Sequence, residues 1–249
     1  MERKVAFPQV SGLFTLSNSS SPRASSGTRD LILVCGGRFP SSEWFLETAQ
    51  GRELHCADSG GDLCRRENLL PASFVGDGDS VDPETLEWLQ KKGVPLEILP
   101  REKDYTDYQV LLHRMASLGE SVRTMVVTGI WGGRFDHLYS ALGTSEGFLV
   151  REKIPLFAFG DSEEVLFFLC SGESLELSFA QNPWAFSLLS LSESCQGVTS
   201  GGTKWDLGAV TLSRHCPYAI SNEIVWKGDG GLCTVAVERG VLGVYAWWR

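Results

Sequence analysis

Four short segments of this chain hold residues suited to metal and phosphate chemistry: Asp58-Ser59-Gly60-Gly61, Gly76-Asp77-Gly78-Asp79-Ser80, Lys103-Asp104-Tyr105-Thr106-Asp107 and Gly132-Gly133-Arg134-Phe135-Asp136-His137. Asp77 and Asp79 are two apart, so in an extended segment both carboxylates face the same way, with Gly78 keeping the space between them open. Two bare carboxylates about 4 Å apart repel by roughly 4 kcal/mol at an effective dielectric near 20, a cost that a divalent cation reverses. All-oxygen ligands favour Mg²⁺ or Mn²⁺ over zinc. The same residues would also make an ordinary turn before a helix. Asp58 with Gly60 and Gly61 could set a carboxylate and bare N–H groups beside phosphate, or form a plain turn. Lys103 could neutralise polyphosphate charge, while Thr106 and Asp107 also read as ordinary first-turn residues. Arg134 offers a two-pronged phosphate contact, and Asp136 and His137 offer a carboxylate and a proton carrier; alternatively Arg134 and Asp136 close a turn as a salt bridge.

These segments fall where a parallel sheet would bring them together. Strands are expected at Leu31–Cys35, Glu53–Ala57, Ser73–Val75, Leu96–Leu99 and Arg123–Thr128, the last four each followed by one of the polar segments. In such a sheet ligands bind beyond the carboxyl ends of the strands. The first strand runs into Cys35-Gly36-Gly37-Arg38, which could also touch phosphate. Asp82 before Pro83 starts one covering helix, and Thr106 caps another. After about Gly160 short strand-like runs separated by Gly, Ser, Asn and Pro replace this rhythm, predicting a second, all-β unit. Residues 1–29 include a Ser-rich stretch and are read as a mostly disordered extension. The expected domains are thus 30–160, α/β, and 161–249, all-β.

Composition narrows the function classes. The net charge is −9 with no long Lys/Arg run, which disfavours nucleic acid as a partner. No run reaches the ~18 apolar residues of a membrane span. Seven scattered Cys show no Cys-x-x-Cys pair, and Pro8, Gln9 and Ser11 interrupt the N-terminal apolar stretch, so a cytoplasmic protein without a signal peptide is expected.

The four segments in this order resemble the thiamin pyrophosphokinase (thiamine diphosphokinase) family. Thr203-Lys204-Trp205-Asp206-Leu207 and Ile220-Ser221-Asn222 resemble its thiamin-site motifs. The resemblance covers about residues 30–245. It implies an N-terminal α/β domain followed by a C-terminal β-sandwich that binds thiamin and dimerises, with active sites at a homodimer interface. The implied reaction is ATP + thiamin → AMP + thiamin diphosphate with Mg²⁺. On matching positions, Asp58, Asp77, Asp79 and Asp107 would hold metal and position the polyphosphate. Lys103, Thr106 and Arg134 would contact ATP, and Asp136 would orient thiamin or its hydroxyl. Trp205 would stack on the thiamin rings, with Ser221 and Asn222 lining the same pocket. Gly78 replaces a usually bulky residue, which is expected to loosen packing beside the metal, and Ile220 replaces a frequent Ser or Thr. Two further readings use the same residues: a pyrophosphokinase for another alcohol such as a pterin, and a nucleotide- or thiamin-binding sensor.

Overall fold

The computed structural model describes residues 2–16, 28–118, 121–152, 154 and 156–249, and divides into two compact units. One comprises residues 25–148 with 159–161, the other residues 1–24, 149–158 and 162–249.

In the first unit, strands β3 (Arg29–Val34), β4 (Glu53–Ala57), β5 (Ser73–Gly76), β6 (Leu96–Ile98) and β7 (Val122–Thr128) lie in the order β7-β3-β4-β5-β6, and every pair is parallel. The middles of β3 and β7 are continuous apolar runs; Leu31, Ile32, Leu33, Met125, Val126 and Val127 are fully buried, as in a sheet covered on both faces. Helices α1 (Ser42–Ala49), α2 (Gly60–Arg66), α3 (Pro83–Lys91), α4 (Asp107–Ala116) and α5 (Phe135–Glu152) provide the crossovers. The chain steps outward from β3 to β6 and then returns beside β3, so the strand order reverses between β3 and β7.

Local chemistry starts these helices. Asp82 accepts from the Glu84 N–H with Pro83 in the first turn. Thr106 and Gln109 form a reciprocal capping box at α4, with the Gln109 N–H donating to Thr106 Oγ1 at 3.2 Å and the Thr106 N–H to Gln109 Oε1 at 2.8 Å.

The second unit is antiparallel throughout. One of its sheets has the order β1-β2-β10-β15-β12-β13, with β14 also on β15: β1 (Glu2–Ala6), β2 (Val10–Leu16), β10 (Glu173–Phe179), β12 (Ser194–Gly201), β13 (Leu207–Ser213), β14 (Trp226–Lys227) and β15 (Gly230–Ala236). The other layer contains β11 (Ala185–Ser190), β16 (Leu242–Trp247) and β9 (Glu164–Leu169), paired in that order; β8 (Phe157–Gly160) spans the boundary between the units in sequence. Phe179 of β10 meets Phe186 of β11 edge-on with centroids 6.3 Å apart, and Phe7 meets Phe167 of β9 at 5.8 Å. Aromatic side chains from both layers thereby make one sandwich core.

Part of the expected disordered extension is corrected. Glu2–Ala6 and Val10–Leu16 form a hairpin whose second strand pairs with β10 from Val10↔Phe179 to Leu16↔Glu173. Val5, Phe7 and Val10 are buried there, so the weakly apolar N-terminal stretch has a sheet edge on which to bury itself. The Ser-rich residues 17–27 lie outside the described residues.

Candidate functional site

The carboxyl ends of β4, β5 and β6 place their acidic residues in one corner. Asp58, Asp77 and Asp79 each offer one carboxylate oxygen, and these oxygens lie within 4.8 Å of one another. Asp58 adopts a left-handed backbone (φ 52°) directly after β4, and its N–H donates to Val75 O at 2.9 Å, which ties it to the end of β5. Its Oδ2 accepts from the Ser80 hydroxyl, whereas Oδ1 is buried without a hydrogen-bond partner.

Asp77 and Asp79 are not in an extended segment as expected. The chain turns at Gly78 (φ 77°), and the Asp79 N–H donates to Asp77 Oδ1 at 3.2 Å. The turn still gathers both carboxylates. A β-carbon at Gly78 would meet only Leu86 Cδ1, at 3.4 Å, so space is available; the left-handed backbone is what calls for glycine here. Gly60 is required by packing, since a β-carbon there would lie 2.0 Å from Val34 O.

Lys103 projects into this corner from the loop after β6. Its Nζ is 2.8 Å from Asp77 Oδ2 and 3.3 Å from Asp107 Oδ1, rather than paired with the neighbouring Asp104. Asp107, the first residue of α4, therefore joins the three carboxylates through Lys103 and not as a fourth member of the close group. Burial, reinforced by the charges of Asp107, Asp77 and Asp79, raises the Asp58 pKa against the opposing Ser80 hydrogen bond. Burial likewise raises Asp107, against the pull of Lys103. The Lys103 hydrogen bond holds Asp77 below the usual carboxylate range. Burial works against the Lys103 charge, but Asp77 and Asp107 outweigh it and raise its pKa. At the end of β3, burial pushes the Cys35 thiol up to about 12, and the negative field of Asp107 and Asp58 adds to the shift.

The corner thus carries more negative charge than Lys103 balances, and a buried acceptor oxygen faces no donor. Both features fit a bound divalent cation, and the donor set is all oxygen, which suits Mg²⁺ or Mn²⁺. One cation that sequence reasoning passed over also stands here. Arg101 donates from Nε and Nη2 to Asp79 Oδ2 at 3.0 and 2.9 Å; the available signal was its spacing, two residues before Lys103.

Arg134 and Asp136, after β7, form the exposed ion pair that the sequence left open, with Arg134 Nε donating to Asp136 Oδ1 at 3.1 Å. Arg134 holds the Asp136 carboxyl below its ordinary range. Arg38 is not left to meet phosphate: its Nε and Nη2 donate to fully buried Asp161 Oδ2 at 2.9 and 2.6 Å. Thr106 Oγ1 accepts from Gln109 as a cap, which leaves its hydroxyl proton able to donate.

In the second unit Trp205, Ser221 and Asn222 do come together. Trp205 is 55% exposed, on a turn that the Asp206 carboxylate closes by accepting from the Thr203 N–H and hydroxyl, both at 2.9 Å. Asn222 grips the same turn: its Oδ1 accepts from the Trp205 N–H at 3.2 Å, and its Nδ2 donates to Trp205 O at 2.9 Å. The amide expected to line a pocket is thereby committed to holding Trp205. Ser221 has a left-handed backbone (φ 57°), and its N–H donates to Ser187 Oγ at 3.0 Å. Lys204, paired with Glu223 at 2.9 Å, sets its ammonium 4.7 Å from the Trp205 ring centroid. An open cavity of about 830 Å³ in this unit has Thr203 and Asp206 in its wall, with Phe179 and Val225, but not Trp205, Ser221 or Asn222.

The chain is similar to several known proteins. Residues 48–158 match the family model described as thiamin pyrophosphokinase, catalytic domain. The curated thiamine pyrophosphokinase of Bacillus subtilis is 25% identical over 175 residues, covering 70% of this chain and 77% of that protein. The crystal structure of a B. subtilis thiamine pyrophosphokinase superposes with a TM-score of 0.76 at 19% identity, covering 89% of this chain and all of that one. A thiamin pyrophosphokinase structure from Candida albicans superposes at 0.71 and 16% identity, covering 99% of both chains. These two structural likenesses bear on the fold. Among the described residues, no helix is long and apolar enough to cross a membrane.

Proposed function

We propose that this chain, whose residues 48–158 match the thiamin pyrophosphokinase catalytic-domain model, transfers pyrophosphate from ATP to the primary hydroxyl of thiamin, giving AMP and thiamin diphosphate. The observation that carries this reading is the convergence of Asp58, Asp77 and Asp79 on one point, with Lys103 alongside. A phosphoanhydride with several negative charges needs such a corner, because catalysis of phosphoryl transfer consists mainly of positioning and charge neutralisation.

Asp58, Asp77 and Asp79 hold Mg²⁺ in this account, with Asp107 steadying the site through Lys103. A Mg²⁺ ion held there would supply charge neutralisation for the polyphosphate and the AMP leaving group. Lys103, the Thr106 hydroxyl and Arg134 bind phosphate oxygens. The thiamin hydroxyl attacks the β-phosphorus in line, the bond from that phosphorus to the oxygen bridging to the α-phosphate breaks with that oxygen leaving on AMP, and the hydroxyl proton is released to water. Asp136 is held ionised by Arg134, so it is a weak base; its role is to accept a hydrogen bond from the hydroxyl and aim it.

Trp205 gives thiamin its stacking surface. A thiazolium over an indole face gains about 0.5–2 kcal/mol. Asn222 is a positioning residue for that indole, and Ser221 lines the same pocket. The proposed assembly is a homodimer in which the Trp205 turn of one subunit serves the phosphate corner of the other, in the cytoplasm.

An acceptor panel tests the reading. With ATP and Mg²⁺, AMP is expected to form with thiamin and not with a pterin alcohol. AMP formation with the pterin alcohol alone replaces the acceptor, and tight ligand binding without AMP release replaces the enzyme by a sensor.

A further inference from the structure

The geometry points to Arg101 as a removable counter-charge: it covers the Asp79 carboxylate and moves to the terminal phosphate of a nucleoside triphosphate when the metal–nucleotide binds. This rests on the reading of the phosphate corner given above.

Arg101 directs Nε and Nη2 to the same oxygen, Asp79 Oδ2, at 3.0 and 2.9 Å. Two residues on, Lys103 reaches Asp77 at 2.8 Å. Alternate residues of one loop thus each serve one carboxylate of the Asp77–Asp79 pair. The two cations are held very differently. The Lys103 side chain is 15% exposed and bound between two carboxylates, whereas that of Arg101 is 78% exposed and its partner Asp79 is 40% exposed. An ion pair as open to water as that of Arg101 is weakly held and readily exchanged.

Asp79 is one of the three residues whose oxygens converge. A cation entering that point meets the Arg101 charge beside one of its ligands, so guanidinium and metal compete for Asp79. Polyphosphate resolves the competition. Its terminal group offers a doubly charged, multi-oxygen partner that matches the guanidinium fork better than one carboxylate oxygen does. Lys103 stays as the fixed inner cation, and Arg101, at the exposed edge, is the one free to follow the triphosphate to its outer end.

The test measures Mn²⁺ binding by electron paramagnetic resonance, without nucleotide, for the wild type, R101Q, R101K and D79N. Loss of the Arg101 charge is expected to tighten Mn²⁺ binding about five-fold, with R101K close to wild type and D79N much weaker. A second titration uses α,β-methylene ATP with Mn²⁺. R101Q is expected to weaken analogue binding about ten-fold and to leave AMP binding unchanged. A purely structural arginine would not tighten the metal. Unchanged or weaker Mn²⁺ binding in R101Q, while wild type binds and D79N does not, overturns the counter-charge; tighter Mn²⁺ with unchanged analogue affinity overturns the transfer to phosphate. Absence of Mn²⁺ binding by wild type, or equal binding by D79N, instead contradicts the metal-site reading, and this inference with it.

Discussion

The carboxylate corner and the Trp205 turn are built in opposite ways. In the corner, Asp58, Asp77 and Asp79 converge beside a buried oxygen with no hydrogen-bond partner, and on the proposed reading a divalent cation would relieve their repulsion. At the Trp205 turn the hydrogen bonds are made: Asn222 clamps the Trp205 backbone on both sides, Asp206 closes the turn, and the indole is presented already fixed. One cluster keeps an acceptor unsatisfied, and the other is held fixed by its own hydrogen bonds. Protein cations stand at both, Arg101 on Asp79 and Lys204 on the indole face. The comparison teaches that the corner should govern turnover and metal response, and the turn should govern thiamin affinity.

The largest expected effect breaks the corner. Asp77→Asn or Asp79→Asn should lower kcat about 100-fold or more, read by steady-state AMP release at saturating thiamin, because metal-based charge stabilisation is lost. Near-normal turnover in both at ordinary Mg²⁺ would sink the assignment. Next, Trp205→Ala should raise the thiamin KM by about 10-fold, the cation–π range, and leave the KM for ATP within about two-fold. A comparable shift in both constants would erase the distinction between the regions. Asn222→Ala should reproduce the Trp205→Ala pattern at smaller size, about five-fold, since one or two hydrogen bonds then hold the indole less well.

The smallest effect sharpens the comparison through stability. Because burial raises Asp58 and Asp107 in the folded state, folding takes up protons there. Their destabilising contribution is present in full above the raised pKa values, and it is relieved as pH falls through them toward the model-compound value of 3.8. Asp58→Asn should therefore raise the melting temperature of metal-free protein at pH 7 by about 2 °C and abolish the further rise that Mg²⁺ gives the wild type. Asparagine tolerates the left-handed backbone at this position. A lower melting temperature for this variant without metal would show that the corner stores no repulsion.

The alternation of β-branched runs with polar loops made the α/β half legible, because each loop after a strand displayed its carboxylates in the sequence itself. Other elements gave weaker signals. β12 reads Ser-Cys-Gln-Gly-Val-Thr-Ser-Gly, and its pairing with β13 shifts register around Val198, so no clean alternation marks it. α2 opens on Gly60-Gly61, poor helix formers that are kept because the helix start packs tightly on Val34. The N-terminal hairpin depends on a partner strand more than 150 residues away in sequence, Phe179 opposite Val10, which no local pattern reveals. In the corner, Asp58, Asp77, Asp79 and Lys103 were visible by type and spacing, whereas Trp205 was marked only by the resemblance of its flanking motif. The grip of Asn222 on Trp205, the Ser80 contact with Asp58 and the Arg101 contact with Asp79 depend on where side-chain atoms point, which spacing does not encode.

The most direct measurement counts products. Purified protein is mixed with limiting ATP, excess thiamin and Mg²⁺, and AMP and thiamin diphosphate are quantified against ATP consumed, with a parallel sample in chelator. One AMP and one thiamin diphosphate for each ATP, both lost on chelation, is the predicted result; AMP without thiamin diphosphate, or ADP in place of AMP, would contradict pyrophosphoryl transfer to thiamin.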